Sequence, residues 1–201
     1  MGRAFFERDT RSVARELLGS VLVRVFDGEE LSGKIVEVEA YRGSNDPASH
    51  AFSGMTRRNA VMFGEPGHAY VYFTMGMHHC LNISTEKKGQ PGAALVRALE
   101  PIQGIARMKV NRGVDSVTEL ANGPGKLTKA MRIDLSLNGE DMVTSGRLYI
   151  RNDDKGDIRV GRSSRIGIGA GVEFRWRYFV RDSPFVSKAR TSRISTDLQN
   201  A

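Results

Sequence analysis

Two carboxylates stand two residues apart in KIVEVEAY, the stretch from Lys34 to Tyr41. With the alternation of a β-strand, Val36, Val38 and Ala40 take one face, and Glu37, Glu39 and Tyr41 take the other. Carboxylates ~7 Å apart beside an aromatic ring suit general-base chemistry, because such surroundings raise one pKa and can hold a water. The plainer reading of the same pattern is a half-exposed strand with a solvated acidic face.

A second group lies in YVYFTMGMHHCLNIS, from Tyr70 to Ser84. Tyr70 and Tyr72 share a strand face. Thr74, Met75, Gly76 and Met77 form a short hairpin tip, a place where polar residues are usual. Met75 and Met77 are read there in two ways. They tuck beneath a neighbouring loop, or they act as an apolar wedge of the kind that enters a DNA minor groove and parts stacked bases. His78, His79 and Cys80 are metal-ligand types, but consecutive strand residues face opposite ways and the chain has no second cysteine. GIGAG (167–171) lacks the spacing and βαβ setting of a dinucleotide loop, and reads as backbone that approaches something closely. NGPGKLT (122–128) is not a P-loop, yet it can set backbone N–H groups and Lys126 beside a phosphate.

Strands are needed to position these groups, and strands dominate the pattern. A helix begins near Thr10, capped by Asp9 or Thr10, with Val13, Ala14, Leu17 and Leu18 on its apolar face and Gly19 ending it. VLVRVF and KIVEVEAY flank the turn Asp27-Gly28, and AYVYF pairs with HCLNIS. ALVRAL (94–99) is a further strand, after which Pro101 suits the first turn of a helix. GPGKLTKAMRI is a glycine turn followed by a short helix, and FRWRYFV closes the pattern as a strand. Strands and helices do not alternate regularly. That predicts an α+β fold: one mixed domain over residues 1–201, with a curved, mostly antiparallel sheet, short helices and a protruding hairpin.

Composition narrows the function classes. The 201 residues are 40% hydrophobic and 26% charged, which excludes wholesale disorder. No apolar run approaches the ~18 residues of a membrane helix, and MGRAFFERDT lacks a secretory apolar stretch. A single cysteine, Cys80, rules out an internal disulfide and fits a reducing compartment. The formal charge is +7. From Arg147 to Arg181, nine basic residues face four acids, so most of the excess lies there. This is either a solvated basic surface or a patch facing phosphates.

Taken together, these blocks resemble a known family, the alkyladenine (3-methyladenine, or methylpurine) DNA glycosylases of the mammalian type. The resemblance runs through FFERDTRSVARELLG, GKIVEVEAYRGSNDPASHAFSG, TRRNAVMFGEPGHAYVYFTMGMHHCLNIS, ALVRALEP, LANGPGKLTKA and RYFVRDSPFVS, in that order along nearly the whole chain. It implies a monofunctional enzyme that flips damaged purines out of double-stranded DNA and hydrolyses the N-glycosidic bond, with no metal or cofactor. Glu39 matches the base that activates water, and Arg97 an arginine that orients it and contacts a nearby phosphate. Tyr41, His50 and Tyr72 match the residues that sandwich the flipped base, and the backbone of His50 would read the base's exocyclic position. Asn82 matches a side chain that rejects normal guanine, and the main chain near Ile166 helps hold the water. Met75 stands where the family has an intercalating tyrosine, with Met77 beside it. Thr56, Arg57, Arg58 and Lys126 match phosphate contacts.

The resemblance also sets expectations for setting. A monomer is expected, without membrane association, in the cytoplasm near the nucleoid of a prokaryote or in a eukaryotic nucleus. Two other readings of the residues compete with it. One is a non-catalytic nucleic-acid-binding domain, and the other a metal hydrolase built on His78, His79 and Cys80.

Overall fold

The computed structural model describes residues 1–74, 76–153 and 155–188. Helix α1 (Arg3–Phe6) leads into α2 (Thr10–Glu16), whose first turn is closed by the Asp9 carboxylate accepting from the N–H groups of Arg11 and Ser12. Strand β1 (Val21–Phe26) turns back at Asp27 and Gly28 into β2 (Glu29–Tyr41). Both turn residues have positive φ, which is why the sequence reads Asp-Gly there. A hairpin follows, β3 (Ala69–Thr74) and β4 (His78–Ser84), and then β5 (Ala93–Gln103). Three short helices come next: α3 (Ile105–Arg112), α4 (Val117–Leu120) and α5 (Pro124–Ala130). Strands β6 (Leu148–Arg151), β7 (Val160–Ser163) and β8 (Arg177–Val180) end the fold.

All strand pairs are antiparallel, in the order β3-β4-β5-β2-β1-β6. The long β2 is the hub. Its first half pairs with β1, its last residues pair with β8, and β5 runs along its other edge. Serving two neighbours in succession curls the sheet into a half-barrel, the α+β single domain that the pattern implied. One face carries the main core: Val38 and Ala40 of β2, Val96 of β5 and Leu81 of β4 pack with Val13 of α2 and Leu127 of α5. Alternation then sends Glu39, Tyr41, Arg97, Asn82 and Tyr72 to the other face.

Two expectations are corrected. The chain does not enter a helix at Pro101. Strand β5 runs on to Gln103, and Pro101 pairs with Gly33 beside a register shift, where the ladder does not need the N–H that proline lacks. The turn into α3 comes at Gly104, with φ of 73°, where a Cβ would lie 2.3 Å from Leu31 Cδ2. Nor is the acidic face of β2 wet, since Glu37 and Glu39 are both fully buried. The ladder shifts register between Ile35 and Val38, so Ile35 joins Val38 and Ala40 in the core while both glutamates turn to the opposite face.

Candidate active site

Glu39 lies at the centre of that second face. Its Oε1 accepts from the Ile166 backbone N–H at 2.7 Å, and its Oε2 from the Tyr41 hydroxyl at 2.8 Å and an Arg97 guanidinium nitrogen at 3.2 Å. Burial pushes its carboxyl above the ordinary value, and the Arg97 charge and the two hydrogen bonds oppose that without cancelling it. Two of the three donors fall on Oε2, which leaves a lone-pair direction on Oε1 able to accept a proton from a water. Tyr41, buried against this carboxylate, has its hydroxyl pushed well up, so it remains a donor.

Glu37, two residues earlier, is tied differently. Its oxygens accept from Arg97 Nε at 2.9 Å, Arg177 Nε at 2.7 Å, and the Ser187 hydroxyl and N–H at 2.8 and 2.7 Å. It fixes Arg97 from behind and joins the C-terminal segment to the sheet. Arg97 thus bridges both carboxylates, and although burial works against its charge, the two glutamates outweigh that and strengthen the cation.

In front of this cluster opens a cavity of about 400 Å³, a size that suits a flat heterocycle. Tyr41, His50, Tyr72, Asn82, Arg97 and Ile166 all line it, so six residues singled out from the sequence meet in one place. Glu39 sits directly behind the wall that Tyr41, Arg97 and Ile166 form. His50 Nδ1 is 2.8 Å from the Tyr70 hydroxyl, and its ring meets that of Tyr72 edge-on at 4.7 Å. Desolvation and the nearby Arg58 charge hold the His50 ring below its ordinary pKa, and therefore neutral at pH 7. The His50 carbonyl accepts from Asn59 Nδ2 at 2.7 Å, while its N–H meets no acceptor among the described residues. Asn82 is buried, its amide donating to the Tyr70 carbonyl at 3.1 Å.

Of the predicted DNA-facing residues, Arg58 touches the cavity lining. Arg58 lies 4.9 Å over the Tyr72 ring, and Thr56 and Arg57 are exposed beside it. Lys126 is on α5, where Pro124 lines the cavity, and it donates to Asn122 Oδ1. Met77 is 68% exposed in the hairpin turn rather than tucked under a loop. Met75 lies outside the described residues. His78, His79 and Cys80 do not converge: His78 packs on Gly125, His79 on Phe73, and Cys80 faces the cavity. The basic C-terminal segment is not one phosphate-facing patch either. Arg147, Arg151 and Arg159 pair with carboxylates, and Arg165 and Arg177 are buried in ion pairs.

Other contributors carry no signal in the sequence. The side chains of Arg165 and Asp46 form a fully buried bidentate pair at 2.6 and 2.7 Å. The Arg165 guanidinium stacks 4.6 Å over the Tyr41 ring, and also donates to the Ala40 carbonyl. This pair anchors both the loop that carries His50 and the backbone that presents Ile166. Asn59, buried, shapes the loop from His50 to Thr56. No local pattern marks these residues, because their partners are remote or on backbone.

A model of the methylpurine-DNA glycosylase family matches residues 4–184. The chain belongs to that family. A relative from Carboxydothermus hydrogenoformans, named "Putative 3-methyladenine DNA glycosylase", is 50% identical over 189 residues, 92% of this chain and 97% of its own. Relatives of the same printed name from Chlorobium phaeobacteroides and Koribacter versatilis are 46% and 48% identical, over 93% and 94% of this chain and 94% and 93% of their own. As a member of the family, the chain is a DNA-repair hydrolase acting on N-glycosyl bonds, with DNA as its substrate. Membership sets aside the reading as a mere binding module.

Proposed function

We propose that this glycosylase flips an alkylated or deaminated purine into the cavity beside Tyr41 and cleaves its N-glycosidic bond with a water activated by Glu39. The observation that carries this is Glu39 itself, buried and held by Arg97, Tyr41 and the Ile166 N–H directly behind the wall of the base-sized cavity. Its carboxylate deprotonates the water as the sugar gains oxocarbenium character, and its charge stabilises that sugar. Arg97, Tyr41 and the Ile166 N–H fix the carboxylate and leave the remaining lone pair of Oε1 for the water. Water attacks the anomeric carbon, the C–N bond electrons leave on the base, and an abasic site remains.

Tyr41, His50 and Tyr72 stack on the extruded base. Aromatic stacking of roughly 1–3 kcal/mol per base offsets much of an extrusion cost of ~a few kcal/mol. The free His50 N–H suits reading of the base's exocyclic position, and Asn82 stands where a guanine 2-amino group would collide. N-alkylated purines such as 3-methyladenine are already cationic and leave readily, whereas hypoxanthine and ethenoadenine need a proton. Thr56, Arg57, Arg58 and Lys126 hold the backbone of the lesion-bearing duplex, and the protein acts as a monomer.

Glu39→Gln tests the reading. Base release from duplexes containing alkyladenine, ethenoadenine or hypoxanthine, scored as abasic sites, should fall by about 10²–10⁴-fold with lesion binding kept. Wild-type release by that variant sinks it. Met75 is the wedge, and a thioether gives less stacking area than a ring. Met75→Ala should slow excision most for well-paired lesions, and equal wild-type rates on paired and mispaired lesions would reduce Met75 to a tip residue.

A further inference from the structure

Part of the positive charge lies away from the lesion cavity, in an open groove of about 430 Å³ between α2 and the β7–β8 pair. The groove is formed by Arg11, Arg15 and Arg162, with Asp9, Ser12 and Tyr178 beside them. Three guanidinium groups therefore face a single carboxylate, and that carboxylate is already spent on Arg11 and on the cap of α2. Arg15 and Arg162 are exposed, and no carboxylate among the described residues lies within ion-pairing distance of either. This contrasts with Arg147, Arg151, Arg159, Arg165 and Arg177, each of which has an acidic partner.

The ladder fixes which side of the sheet this groove occupies. Residues paired across an antiparallel ladder share a face. Arg177 pairs with Glu39 and reaches Glu37, so it belongs to the cavity face. Tyr178 pairs with Val38 on one side and Arg162 on the other, so both belong to the helix-covered face. The groove and the lesion cavity thus open on opposite layers of the sheet.

We propose that this groove binds the phosphate backbone of a second duplex DNA segment while the first is held at the lesion cavity. The chemistry favours duplex over single strands. Binding of single strands relies on exposed stacking aromatics, and here Tyr178 is buried with the Arg162 guanidinium 5.5 Å over its ring. Most of the groove's lining is charged or polar, unlike the largely apolar walls of a small-ligand pocket. Guanidinium forks match phosphate oxygens without reading bases, so binding is indifferent to sequence and to damage. A glycosylase searching for rare lesions would gain a direct route from one segment to another. The proposal rests on DNA being the substrate and not on the role of Glu39.

The test uses the intact enzyme saturated with a short duplex that carries an uncleavable abasic analogue. A second, labelled, undamaged duplex is then added at low salt and followed by anisotropy. The second duplex should bind the preformed complex. Arg15→Glu/Arg162→Glu should weaken that second event at least about tenfold, and make its log–log salt slope shallower by about 2. Single-turnover excision from a short lesion duplex should stay at the wild-type rate, a readout that separates misfolding from loss of the groove. Three results overturn the proposal: no second duplex on the wild-type complex, equal second binding in the variant, or a variant that loses the first duplex as strongly as the second.

Discussion

Glu37 and Glu39 are the same residue type on the same face of one strand, and their surroundings separate their roles. Glu37 accepts four hydrogen bonds from Arg97, Arg177 and Ser187, three of them on Oε1, and so ties the sheet to the C-terminal segment away from the cavity lining. Glu39 accepts three, all from residues that line the cavity, and lies directly behind that wall. Glu37→Gln should therefore cost stability, roughly 3–5 kcal/mol for a broken buried pair, while slowing excision far less than Glu39→Gln does. Thermal unfolding beside single-turnover rates checks this, and a larger rate loss for Glu37→Gln would reverse the assignment. The raised pKa of Glu39 also has a sign. The proposed catalysis needs the ionised form, so the excision rate should fall as pH is lowered through a value above that of an ordinary carboxylate. The folded state protonates first, so Glu39 lowers stability as pH rises from the unfolded-state pKa through the folded one, and favours folding below both. A pH–rate profile on a cationic lesion checks the first point, and an acid limb no higher than a free glutamate's would contradict it.

Loops do the positioning that the strands alone do not. The Asp46–Arg165 pair closes a link across 119 residues, clamping the His50 loop and the Ile166 backbone against the rear of Tyr41. Asp46→Asn leaves a buried guanidinium without its counter-charge. It should cost about 3–5 kcal/mol and, at a temperature where the protein stays folded, slow excision at least tenfold as the Ile166 N–H drifts from Glu39. Unfolding curves with single-turnover assays decide the matter, and wild-type values for both would make the pair incidental. The same pair shows where sequence reading stops. Strands β1 to β4 were legible because Asp27-Gly28, the period-two alternation and the hairpin tip are local signals. Glu39, Tyr41 and Tyr72 were legible as residues on strand faces, and their roles came from resemblance. The burial of Glu37 was hidden because its partners lie on β5, β8 and the segment beyond, and spacing says nothing of remote partners. Pro101 misled because a proline after an apolar run serves equally as a helix start or as a strand residue beside a register shift.

At the scale of the whole molecule, a charge of +7 does not describe one positive surface. Several arginines are spent inside the protein or on neighbouring acids. Cations without a carboxylate partner among the described residues lie at several places: Arg58 over the Tyr72 ring with exposed Arg57 next to it in the chain, Lys126 on α5, and the separate groove at Arg15 and Arg162. Exposed cations bind phosphates by releasing counterions, so log affinity should fall linearly with log salt concentration, and alike for damaged and undamaged duplexes. The chemical step should behave differently. Glu39 is fully buried and Arg97 nearly so, and interactions between buried charges are screened little by salt. With enzyme in excess at concentrations that keep all DNA bound, the excision rate should therefore stay flat across the range in which affinity collapses. Titrations of labelled duplex at several salt concentrations, paired with single-turnover excision at each, measure both quantities on one protein. An affinity that ignores salt would leave the exposed arginines without a role in binding. A saturated excision rate that falls with salt would mean that the Glu39 and Arg97 charges are open to solvent when the base is cut.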